Sequence, residues 1–140
     1  MTALVRAAWL KVHQPRVIAI TYTAAYTVLT YAGVTALIDP PTSLEGAVGA
    51  LSMGTLAALL VLGGALGAPS ALLGLWWLER VAVIAVSISA GIYGGIILTL
   101  HMIGTGNRQL QLGFVLFVLL MQLIRWHRIR ERPYDPARHV

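Results

Sequence analysis

Few residues in this chain could do chemistry, and none stand at the spacing that catalysis or metal binding needs. Among 140 residues there is no cysteine, which excludes thiol nucleophiles, disulfides and thiolate metal sites. His101 is the one histidine inside an apolar run. It sits near the far end of that run with no second ligand beside it, and reads as an interfacial hydrogen-bonding group. Glu79 and Arg80 stand side by side between two apolar runs. They could form a local ion pair, or Arg80 could hold a lipid phosphate. No nucleophile–base pair and no phosphate-binding loop is visible. The expectation is therefore a non-enzyme, with no catalytic residue, no metal ligand and no cofactor.

The remaining chemistry is that of packing. Gly46, Ala50, Gly54 and Ala58 recur every four residues in one apolar run, and Ser87, Gly91, Gly95 and Thr99 do the same in another. Small residues at this spacing share a helix face and let two backbones approach closely, the usual means by which membrane helices associate. The plain reading is that the two rows pack on each other within one bundle. The functional reading is that one of them joins subunits of a homo-oligomer.

The elements that must carry these rows follow from composition. The chain is 58% hydrophobic and only 11% charged, where a soluble domain has about 25% charged residues. Such a chain belongs in a membrane. Four apolar stretches, at about residues 17–37, 46–66, 81–103 and 110–124, each suit one crossing of about 20 residues. The first is too long for the apolar core of a secretory signal, so it is expected to span rather than to be cleaved. It is also the most polar, with Thr21, Tyr22, Thr23, Tyr26, Thr27, Thr30, Tyr31 and Thr35, and is expected to face the other helices. Residues 69–78 should form an interfacial segment or a one-sided extension of the third span. Residues 2–14 carry Val5, Ala8, Trp9 and Val12 at helical spacing and predict a short amphipathic helix on the membrane surface.

Charge placement predicts orientation. Arg6, Lys11 and Arg16 precede span 1, Arg80 lies between spans 2 and 3, and Arg125, Arg128, Arg130, Arg132 and Arg138 follow span 4; only Arg108 falls on the other side. Basic residues in short loops stay cytoplasmic, so both termini are expected inside. Trp9, Trp76, Trp77 and Trp126 fall at the same boundary, where an aromatic belt belongs. With Arg80, Arg125 and Arg128 they are the expected membrane-interface anchors. The net charge of +5 flanks apolar runs rather than forming a patch with interleaved aromatics, which favours anionic lipid head groups over nucleic acid. The predicted architecture is an all-α, integral membrane four-helix bundle in a single domain, multi-pass in the cytoplasmic membrane. A protein partner is possible but not identifiable.

The stretches IDPPTSLEGAVG (38–49), WWLERVAV (76–83), GIYGG (91–95) and QLIRWHRIRERPYDP (122–136) resemble those of small four-span membrane proteins of actinobacterial tailed phages, some of which are called holins. The resemblance runs over most of the chain, in order. It implies a protein that accumulates in the host membrane, self-associates and permeabilises it for lysis. Two other classes remain open: a superinfection-exclusion or regulatory protein that binds a phage or host partner, and a structural subunit of a larger membrane assembly.

Overall fold

The computed structural model describes residues 16–40, 46, 49–104 and 107–130. Among these it has four helices: α1 (Arg16–Ile38), α2 (Ala50–Leu73), α3 (Trp76–Ile103) and α4 (Gln109–Arg130). All four are long and apolar enough to cross a membrane. At ~1.5 Å per residue they measure about 33 to 42 Å, enough to cover a hydrocarbon core of about 30 Å. The expected helix at 2–14 with Trp9, most of the first loop and the tail beyond Arg130 lie outside the described residues.

Glycines set both ends of α2. Gly49 has φ +82°, a conformation that side chains disfavour, and the helix starts just after it. At the other end Gly74 adopts the left-handed conformation, with φ +73°, and its N–H bonds the Ser70 carbonyl. This is a helix stop of the αL type. Between them α2 runs straight through Pro69. The stretch 69–78 is therefore neither a separate interfacial segment nor wholly part of span 3. It is divided between the end of α2 and the start of α3, joined by a corner of two residues. Pro69 removes one backbone donor from the helix, and two hydroxyls bond carbonyls of the adjoining turn. Ser70 Oγ donates to the Gly67 carbonyl at 3.0 Å, and the Thr23 hydroxyl of α1 lies 2.8 Å from the Ala19 carbonyl and 3.2 Å from that of Ala68.

Neighbouring helices pack in sequence, α1 on α2, α2 on α3 and α3 on α4. Each pair is antiparallel: Gly67 faces Tyr26 while Gly33 faces Val61, and Gly94 faces Val115 while Glu79 reaches Arg125. The start of α1 and the end of α4 therefore lie at the same end of the bundle.

The centre of the bundle is α2 and α3. The flanking helices bury one narrow seam each, Ala19, Tyr26 and Gly33 on α1 and Val115, Gln122 and Ile129 on α4. Both seams repeat every seven residues, the spacing of helices that cross at a shallow angle. Span 1 thus does not face the other helices broadly, as its polarity led us to expect. Its threonines are accommodated instead by bonding back to their own helix: Thr21 to Val17, Thr27 to Thr23, Thr30 to Tyr26 and Thr35 to Ala32. A hydroxyl satisfied in this way can face lipid.

Two core layers form. One centres on Tyr26, Ala71, Ala82 and Val86, the other on Met53, Leu56, Ile96 and Ile97. The buried Ser89 hydroxyl joins α3 to α2 by donating to the Leu56 carbonyl at 3.0 Å. Ser89→Ala should cost about 0.6 kcal/mol, the mean for hydrogen bonds between membrane helices. The shift in the midpoint of unfolding by sodium dodecyl sulfate in a mild detergent reads it. A loss above about 2 kcal/mol would exceed the measured range for such bonds and give Ser89 a larger role.

Candidate functional site

A cluster of polar side chains lies at the bundle end where α1 starts and α4 finishes. Glu79 is in the first turn of α3, placed there by the short corner after Gly74. Its backbone N–H bonds the Leu75 carbonyl at 3.0 Å. The carboxylate is only 2% exposed, at a helix start where the backbone dipole favours negative charge. It faces α4 and accepts from Arg125 at 2.5 Å. The Arg125 guanidinium also lies 4.3 Å over the Tyr22 ring of α1. Arg125 therefore ties α4 to both α3 and α1. Below it, Tyr26 is 1% exposed and its ring centroid stands 6.5 Å from that of Tyr22.

Of the two readings the sequence left open for Glu79 and Arg80, the local ion pair does not form: the ion pair of Glu79 is with Arg125. Adjacent helical residues point about 100° apart and do not face each other. Arg80 instead stacks 4.7 Å over Trp76 and reaches the end of α4, donating to the Ile129 and Arg130 carbonyls at 3.2 and 3.4 Å. These carbonyls end α4, so Arg80 caps the negative end of its dipole. Arg125, at the same end of the bundle, points inward to Glu79 and Tyr22. The signal was present in the sequence. An up-and-down order puts the start of span 3 and the end of span 4 at one depth, and Glu79 is the acid available there.

The remaining expected anchors divide. Trp77 is 57% exposed, Trp76 and Trp126 are half-buried, and Arg128 is exposed. His101 is half-buried with its Nδ1 unpartnered. No group of three metal-ligand side chains occurs among the described residues.

The two small-residue rows do not meet each other. A Cβ built on Gly46, Gly54, Gly91 or Gly95 would touch nothing within 4 Å, and Ala50, Ala58 and Thr99 are exposed, with Ser87 half-buried. Thr99 bonds back to the Gly95 carbonyl. Other glycines carry the close approaches. Gly33 fits against Val61, Gly63 against Val86 and the Ala82 carbonyl, Gly64 against Thr30 and the Tyr26 carbonyl, and Gly67 against the Tyr26 ring. The reason is a choice of face: α2 carries small residues on several sides, and Gly64 and Gly67 meet Thr30 and Tyr26 of α1 while Gly63 meets Val86 of α3.

Comparison with models of known protein families, with curated proteins and with solved structures finds no match to this chain. The fold nevertheless defines a class, a helical protein with four helices able to cross a membrane. Within it, the acid at the bundle end is paired inside rather than left to the lipid.

Proposed function

We propose that this protein is a holin-like protein of phage origin that self-associates in the host cytoplasmic membrane and permeabilises it for lysis. One observation carries the reading: Gly54, Gly91 and Gly95 lie open on α2 and α3, uncommitted to packing within the chain. Exposed glycine faces allow another helix backbone to come close, which is what self-association through these spans needs. The resemblance to small phage membrane proteins points the same way. Among the described residues, Arg16, Arg80, Arg125, Arg128 and Arg130 lie at one end of the bundle and Arg108 at the other. That asymmetry supports a cytoplasmic placement of both termini.

The test is induced expression in a host bacterium while membrane potential and viability are followed. Abrupt depolarisation at a reproducible time is expected, lost in Gly91→Leu and Gly95→Leu. Gly113→Leu is the control, because Gly113 also has open space but lies on α4, outside both rows. Unimpaired growth with a normal potential, at confirmed membrane levels of protein, would sink the holin reading. Resistance to phage challenge in those cells would then identify an exclusion protein.

A further inference from the structure

The outer side of the α3–α4 interface is an open groove of about 540 Å³. Val83, Ile84 and Ile88 form one wall and Leu116, Leu120 and Leu123 the other, with Trp126 at one end. From Trp126 to Leu116 is ten residues of helix, or about 15 Å. That matches the depth of one leaflet, half of a hydrocarbon core of about 30 Å.

The Trp126 end is cationic. Arg80 lies one turn before Val83 on α3 and bridges to the last carbonyls of α4. Its charge has no carboxylate partner among the described residues, and its Nε is buried without a hydrogen-bond acceptor. The exposed Arg130 is one turn beyond Trp126 on α4. Gln122, 7% exposed, lines the groove near this end, and its amide oxygen is also without a partner. A carboxamide presents either its oxygen or its NH2 by rotating about its last torsion.

We propose that this groove is a binding site for one anionic diacyl phospholipid. Its phosphate sits at Arg80, with the exposed Arg130 at the rim, and one acyl chain lies between the two walls. An apolar trough one leaflet deep, closed by a cation that lacks an acid, complements the two parts of such a lipid. A neutral helix from a second copy would fill the trough but leave Arg80 unanswered. The proposal rests on membrane residence alone and is independent of permeabilisation.

Quenching of tryptophan emission tests it. The protein is reconstituted in phosphatidylcholine vesicles that contain increasing small fractions of dibrominated phosphatidylglycerol or dibrominated phosphatidylcholine. Subtracting the Trp126→Phe signal isolates the indole of the groove. One cation beside an anionic surface is worth about a factor of five. Brominated phosphatidylglycerol should therefore quench Trp126 at about fivefold lower fraction than brominated phosphatidylcholine. Arg80→Gln should abolish that preference and Arg80→Lys should keep most of it. Leu120→Trp, which fills the trough without touching Arg80, should remove quenching of Trp126 by either lipid, read as the difference between Leu120→Trp with and without Trp126→Phe. Equal quenching by the two lipids in the native protein would overturn the proposal. So would quenching that disappears as the protein-to-lipid ratio rises, since a second copy would then occupy the groove.

Discussion

Arg125→Met should be the most damaging single substitution at the charge cluster, lowering stability by about 3–5 kcal/mol. Methionine retains much of the volume but leaves the Glu79 carboxylate, 2% exposed, with no partner. Breaking a buried pair from one side costs that much because the surviving charge has neither water nor counter-charge. It also removes the guanidinium from the Tyr22 ring, so α1 loses its tie to α4. Against a total stability of about 5–15 kcal/mol the loss is large. The double variant Glu79→Gln with Arg125→Met should recover most of it, since removing both charges removes the desolvation as well. Unfolding by sodium dodecyl sulfate in a mild detergent, followed by circular dichroism, reads both. If the double variant is no more stable than Arg125→Met, the pair is not what holds this end together.

The second large effect lies at the α1–α2 contact. A Cβ on Gly64 would stand 2.7 Å from both the Thr30 nitrogen and the Tyr26 carbonyl, closer than real contacts allow. These are backbone atoms, so no rotamer change relieves them and α1 must move. Gly64→Val is therefore expected to cost at least the 1–3 kcal/mol or so of an overpacked core. Gly54→Ala, with open space around it, should stay within about 0.5 kcal/mol. The chain has no cysteine, so a Thr23→Cys, Ala68→Cys pair would be its only thiols. The Thr23 hydroxyl lies 3.2 Å from the Ala68 carbonyl, so the pair should crosslink on mild oxidation. Slower crosslinking with Gly64→Val and unchanged crosslinking with Gly54→Ala are expected. Equal rates in all three backgrounds would show that Gly64 does not set the distance between α1 and α2.

Both predictions concern contacts that the sequence reading did not assign, and the cause is the same. By itself the sequence determined four helices and their approximate bounds. Membrane-spanning capacity is nearly additive along the chain: each stretch of about 20 apolar residues satisfies its own backbone and is transferred to lipid on its own account. It also placed all the described arginines but Arg108 at one end, since charge position along a span is a local property. Which face meets which is not local. Small residues occur on several sides of α2 and α3, and spacing alone could not say that Gly63, Gly64 and Gly67 would be covered while Gly54, Gly91 and Gly95 stayed open. The polarity of span 1 misled for a related reason, because a threonine that bonds its own helix no longer needs a neighbour. Only the tertiary structure decided that Glu79 turns away from Arg80 to Arg125. Adjacent residues diverge around a helix, and a buried carboxylate takes the cation that the antiparallel neighbour holds at its own depth.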